Sequence, residues 1–218
     1  MEYRDLITTR HSSRDFDGRP IAPEILRTIV SEAQHAASWA NAQPWQVVIA
    51  TGETLAQIKR QHLTQSRQGV VGNADLTVAH RTEWPDAPRK NMATWSYELG
   101  NHLREAGVGQ AGYSQTQDHL FNASALVYLV LQAPVNEWEV FDLGAFSQML
   151  MLSATDHGIQ SIPAYEVVRY PDTLRETFGL PETSRFMMGI ALGYENRQPI
   201  NDFRSSRVAT KQILTLKD

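Results

Sequence analysis

Apolar residues recur along the chain in two periods. From Pro23, a residue suited to the first turn of a helix, Ile25, Leu26, Ile29, Val30, Ala33 and Ala37 line one helical face, with Glu24 in the first turn. Residues 2–9, Leu55 to Leu63, Ala93 to Glu105, Phe141 to His157 and Asp172 to Phe178 also read as helices. Gly107 and Gly158 stand as stops, and Ser114 as the cap of a further helix reaching about Asn122. Strands are expected at Val47 to Ala50, Ala125 to Gln132 and Phe186 to Leu192, short runs rich in Val, Ile and Leu. Residues 67–91 hold two glycines and two prolines among mixed charges, and read as a lid or as a stretch without a legible pattern. The residues after Tyr194 are polar up to the patch Ile213-Leu214-Thr215-Leu216. No repeat or linker divides the chain, and strands scattered among more numerous helices suggest a layered α/β or α+β domain.

Composition narrows the chemistry. The 218 residues carry a net charge of −4, so no basic surface points to nucleic acid. There is no cysteine, which removes disulfides, thiolate metal sites, iron–sulfur clusters and a thiol nucleophile. The N-terminus lacks the order of a signal peptide and no apolar run approaches the ~20 residues of a membrane span, so a soluble cytoplasmic protein is expected.

Most motifs read blandly. Gly107-Val108-Gly109-Gln110-Ala111-Gly112 spells GxGxxG, but a helix precedes it and Gln132 stands where an acidic residue is needed. It reads as a helix stop and turn. No phosphate-cradling GxxxxGK[ST] loop or GxSxG elbow is present, and the seven histidines form no ligand pair, so no metal is expected. Three segments remain: Arg10-His11-Ser12-Ser13-Arg14, Asn41-Ala42-Gln43-Pro44-Trp45, and Arg204-Ser205-Ser206-Arg207. Clustered guanidinium groups and hydroxyls suit an anion, while Asn and Gln amides suit a polar ring edge.

Together these segments resemble the FMN-dependent nitroreductase family. Arg-x-Ser-x-Arg, a helix and Asn-x-Gln-Pro-Trp leading into a strand follow its order. Asp142-Leu143-Gly144, Ile162-Pro163-Ala164-Tyr165 and Leu192-Gly193-Tyr194 are similar too, so the likeness spans essentially the whole chain. The resemblance implies an α+β three-layer sandwich: a mixed sheet flanked by helices, a single domain over 1–218. It implies an intertwined homodimer in which the arm, about residues 195–218, is exchanged between subunits. Noncovalent FMN would be the cofactor, and NADH or NADPH the donor.

The resemblance also implies roles. Arg10, Ser12 and Arg207 would hold the FMN phosphate, with His11 beside them. Arg14 would face the pyrimidine edge and stabilise the reduced flavin. Ser38, Trp39, Asn41 and Gln43 would reach a flavin held mainly by the other subunit, Trp39 replacing a residue that is usually small. Asp142 would contact the ribityl chain. Pro163, Ala164, Tyr165 and Glu166 would lie along the flavin face, the Tyr165 N–H near N5. A lysine or asparagine common near residue 70 has no secure counterpart, with Asn73 and Arg67 as candidates. Ping-pong reduction of nitroaromatics and quinones would follow. The alternatives are a flavin reductase, a dehalogenase-like member with another acceptor, or a flavin-binding protein without turnover.

Overall fold

The apolar run from Ala125 is buried because it crosses the middle of a sheet. In the computed structural model, which describes residues 1–217, β1 (Gln46–Ala50), β2 (Ala125–Gln132), β3 (Gln160–Pro163) and β4 (Ser184–Gly193) lie in the order β1-β2-β4-β3. Along β2 the period of two sends Ala125, Val127, Leu129 and Leu131 into one apolar cluster and Leu126, Tyr128 and Val130 into another. A run apolar on both faces is what a covered central strand requires.

Seven α-helices accompany the sheet among the described residues: α1 (Tyr3–Thr9), α2 (Pro23–Ala33), α3 (Gly52–Arg67), α4 (Asp86–Glu105), α5 (Gly109–Asp118), α6 (Glu137–Asp156) and α7 (Pro171–Phe178). One face packs on α2 and α6 through Leu26, Ile29, Phe146 and Leu150. The other packs on α3, α7 and the 3-10 turn Tyr165–Val168 through Leu55, Ile58, Val167 and Leu174. The layers are therefore helix, sheet, helix. A smaller cluster, Leu99 and Leu103 of α4 with Ile200 and Phe203, seats the start of the C-terminal arm.

The structure corrects several expectations. The strands pair antiparallel throughout, so the chain's own sheet is not mixed, and its single parallel contact is the isolated bridge between Ser12 and Ser161. β3 was not expected. Ser114 lies inside α5, which opens at Gly109, and α2 ends at Ala33. Gly107 and Gly109 take φ of 70° and 66°, the left-handed conformation that stops α4 and turns the chain into α5. α6 begins at Glu137, where Asn136 and Glu139 exchange capping-box hydrogen bonds.

The stretch after α3 is pinned rather than free. Asp75 accepts from Arg175 at 2.8 Å and from the Phe186 N–H at 2.9 Å, and Asn73 donates to Asp172 at 2.7 Å. The arm forms short 3-10 turns at Pro199–Asn201 and Thr210–Gln212, leaving Ile213, Leu214 and Leu216 exposed. No helix of the described residues is long and apolar enough to cross a membrane.

Candidate functional site

Past α1 the loop Arg10–Phe16 runs along the outer edge of β3. The Ser13 N–H donates to Ser161 O at 3.1 Å, Phe16 N–H to Phe121 O at 3.0 Å and Asp17 N–H to Tyr194 O at 2.9 Å. Between them, the Arg14 N–H donates to Asn201 Oδ1 at 2.6 Å. The loop thus hangs on the sheet from one side and on the arm from the other.

The Arg14 side chain is 5% exposed. One terminal nitrogen donates to Ser12 O at 2.9 Å, and the guanidinium lies over the Phe203 ring, 5.2 Å from its centroid. Its Nε is buried and has no hydrogen-bond partner. Burial lowers the Arg14 pKa from its ordinary value; the Tyr113 oxygen opposes this and the Arg204 charge adds to it. Burial and then the Arg207 charge lower that of Arg10.

These groups surround a cavity of about 340 Å³ whose walls include Arg10, Ser12, Arg14, Arg204, Ser205 and Arg207. Among the described residues none of its four arginines forms an ion pair with a carboxylate. Arg10 and Arg14, half-buried and buried, each face the charge of an exposed arginine of the arm, a set that favours an incoming anion and whose forked donors suit phosphate. His11 also lines the cavity. Its Nδ1 meets Thr9 O at 2.8 Å and its Nε2 meets Glu195 at 3.0 Å. Ser13 Oγ is 3.4 Å from that same Nε2, but Glu195 already occupies it, so these three residues do not form a nucleophilic triad.

A second group gathers at the start of α6. Asp142, buried, accepts from the Trp39 N–H at 2.9 Å, and Ser38 Oγ accepts from the Gln43 N–H at 3.1 Å. Ala40, Asn41 and Gln43 have φ of 45°, 61° and 46°, strained for non-glycine residues. That backbone displays Trp39, 60% exposed, against Trp138 at 4.7 Å between ring centroids. No hydrogen bond links this group to the arginine cavity among the described residues.

The third group, Pro163 to Glu166, leaves β3 and crosses β4. Ala164 N–H donates to Gly189 O at 2.9 Å. A Cβ at Gly189 would stand 2.3 Å from Val167, so only glycine admits this approach. The N–H groups of Tyr165 and Glu166 precede the turn's first internal bond, from Val167 N–H to Ala164 O at 3.2 Å, and are free to meet a ligand. The Glu166 carboxylate turns toward Arg169 at 3.3 Å. Of the two candidates near residue 70, Asn73 is committed to Asp172, and Arg67 ends α3 on the exposed surface.

Sequence reasoning missed Arg204 and Ser205, neighbours of Arg207 in the quoted arm motif. It also missed Asn201, whose side chain accepts the N–H groups of Arg14 and Asp15 and so holds the loop. A second basic residue beside Arg207 was the available signal for Arg204; none marked Asn201.

Fold and site together define an α+β protein with a phosphate-suited cradle on the edge of its sheet. The model of the nitroreductase family matches residues 7–194, and the chain belongs to that family. It is 25% identical to a chloronitrobenzene nitroreductase of Comamonas testosteroni, over 97% of this chain and 95% of that one. It is 26% identical to the nitroreductase NfnB of Mycolicibacterium smegmatis, over 95% and 89%. Its fold matches the crystal structure of the FMN-dependent nitroreductase NfnB from Mycobacterium smegmatis in complex with NADPH, with a TM-score of 0.90, 24% identity and coverage of 99% and 97%.

Proposed function

We propose that the protein is an FMN-dependent NAD(P)H oxidoreductase that reduces nitroaromatics and quinones by a ping-pong mechanism. The observation that carries this reading is the Arg14 guanidinium, buried with an unpartnered Nε beside three further arginines that lack carboxylate partners. Such a set fits a ligand carrying both a phosphate and a polar ring edge, as FMN does. The NfnB of matching fold is FMN-dependent and its crystal structure is a complex with NADPH, which supports the same cofactor and donor here.

Arg10, Ser12 and Arg207, joined by Arg204 and Ser205, would hold the phosphate. FMN, when bound, would supply two-electron hydride exchange between NAD(P)H and the acceptor. Arg14 would place fixed positive charge at the pyrimidine edge, where negative charge accumulates on reduction. The Tyr165 and Glu166 N–H groups would face the ring, and Glu166, its side chain held toward Arg169, would contribute through its backbone alone. Asp142, with one carboxylate oxygen on the Trp39 N–H, braces the Ser38–Gln43 loop, and its other oxygen would meet the ribityl chain.

The reading includes a homodimer. On α6, Trp138, Phe141, Ala145, Met149 and Leu152 form an outward apolar stripe, and Trp138, Phe141 and Met149 are exposed. A face of this kind calls for cover. The outer edge of β3 is taken by Ser12 and Ser13, whereas the free edge of β1 borders a groove of about 430 Å³ lined by Leu26, Val30, Val47 and Ile49. The Ile213–Leu216 segment of a second copy suits that edge as an added strand. Residues 38–43 of one copy would then complete the flavin site of the other.

The test is cofactor identity. The purified protein should be yellow, and the flavin released on denaturation should be FMN, one per chain. Recovery of FAD, or no flavin retained after reconstitution with FMN, refutes the reading.

A further inference from the structure

The turn that opens the C-terminal arm ends in Asn201, only 2% exposed. Its Oδ1 accepts from the N–H groups of Arg14 at 2.6 Å and Asp15 at 3.1 Å. Its Nδ2 donates to Asp15 O at 2.7 Å and Asn196 O at 2.8 Å. A side-chain amide offers two acceptor and two donor positions, and here all four are used. The Asn201 carbonyl in turn accepts from Arg204 at 2.5 Å. One residue therefore touches the backbone of Arg14 on the loop and the guanidinium of Arg204 on the arm.

The loop needs this contact. Ser13, Phe16 and Asp17 donate their N–H groups to backbone carbonyls, but Arg14 and Asp15 donate theirs to Asn201. Behind it, the buried Asp15 carboxylate accepts from Asn122 at 2.7 Å and Asn196 at 3.1 Å. Asn122 closes a run of three left-handed non-glycine residues, Leu120, Phe121 and Asn122, with φ of 48°, 60° and 56°. Backbone strain of this kind persists where the surroundings over-determine the chain. Here it aims the Phe121 carbonyl and the Asn122 amide at the arginine loop.

We propose that Asn201 is a positioning residue of the anion site, locking the Arg10–Arg14 loop to the arm so that Arg14, Arg204 and Arg207 converge on one ligand. The inference rests on the flavin reading above and adds to it a dependence of phosphate recognition on a residue that touches no ligand. Asn201→Ala leaves two buried N–H groups without an acceptor and lets loop and arm separate. Asn201→Asp keeps both acceptor bonds and loses both donor bonds. Asn196→Ala removes one bond to the Asp15 carboxylate and leaves the Arg14 and Asp15 N–H bonds in place.

The experiment measures dissociation constants of FMN and of riboflavin for wild type and the three variants, by flavin fluorescence, with melting temperatures alongside. Asn201→Ala should weaken FMN by about tenfold or more, because the orphaned N–H groups draw the free loop toward water and binding must bring it back to the arm, and weaken riboflavin much less. Asn201→Asp should also weaken FMN more than riboflavin, since its second oxygen is repelled by the Asp15 and Asn196 carbonyls. Asn196→Ala should lower the melting temperature while keeping the wild-type ratio of FMN to riboflavin affinity. An unchanged ratio in Asn201→Ala, with only a lower melting temperature, would make Asn201 structural and overturn the inference. If Asn201→Ala does not fold, an unchanged ratio in Asn201→Asp overturns it equally. Failure of the wild type to bind FMN is a separate result that removes the flavin reading as well.

Discussion

Replacing Arg14 by methionine separates ring chemistry from cofactor retention. Methionine keeps an unbranched stem against Phe203, and the backbone bond to Asn201 does not involve the side chain. The charge it removes is strongly preorganised, being nearly buried, bonded to Ser12 O at 2.9 Å and stacked over an aromatic ring. Two unit charges ~4 Å apart at an effective dielectric of ~20 interact by about 4 kcal/mol. Loss of one preorganised stabilising donor costs roughly 2.7–4 kcal/mol in the transition state. The two estimates agree on a slowing of about 10²- to 10³-fold. The folded protein should tolerate the change, because Arg14 is held against both a burial cost and repulsion from Arg204. FMN should stay bound through Arg10, Ser12 and Arg207. The assay is anaerobic stopped-flow reduction by NADPH, followed through loss of the flavin's visible absorbance, on protein checked to be FMN-loaded. Wild-type reduction rates in loaded Arg14→Met would refute the assignment of Arg14 to the ring.

Arg207→Ala should weaken FMN by roughly 1.5–3 kcal/mol, the worth of a charge-assisted hydrogen bond, and riboflavin much less. Equal losses in parallel titrations would take Arg207 off the phosphate. Deleting residues 209–218 removes the exposed Ile213, Leu214 and Leu216 but keeps Phe203, Arg204 and Arg207. Sedimentation should show a weakened dimer, and an undiminished one contradicts the exchanged arm. His62 sits 3.7 Å from Glu166, too far for a hydrogen bond. Burial, aided by the Arg169 charge and opposed by Asp118, pushes its pKa down to about 4, so it is neutral at pH 7. Its unfolded pKa is the higher of the two, so the unfolded chain binds more protons and stability is lost as pH falls from about 6.5 toward about 4. The full loss is on the order of 3 kcal/mol. Urea unfolding across that range should show a flatter profile in His62→Phe, and identical profiles would count against a neutral, buried His62.

Much of the fold could be read from local pattern. β2 was legible because Ala125 to Leu131 is apolar without interruption, and α2 because Pro23 starts it and its apolar residues keep one face. β3 was not, since four residues, one of them proline, carry too little periodicity. Strand direction is not written in an apolar run, and the mixed sheet that the family resemblance implies is antiparallel within this chain. The stretch after α3 stayed opaque because its anchors are distant: Asp75 finds Arg175 and Arg185 about a hundred residues on. The arginines and serines of the candidate site were visible as clustered charge, and the fold sets them around one cavity. The asparagines holding them were invisible, because an amide in a loop acquires meaning only when the fold brings Arg14, 187 residues away in sequence, against Asn201.

The most direct test of the central claim is a two-stage anaerobic titration of the FMN-loaded protein. NADPH is added first and a nitroaromatic such as nitrobenzene second, with the flavin spectrum followed throughout. The account predicts that about one equivalent of NADPH bleaches the flavin and that the nitroaromatic, added after the nicotinamide product has been removed, restores the oxidised spectrum. A flavin that stays oxidised with NADPH, or one that bleaches but is not reoxidised by the nitroaromatic, would contradict it.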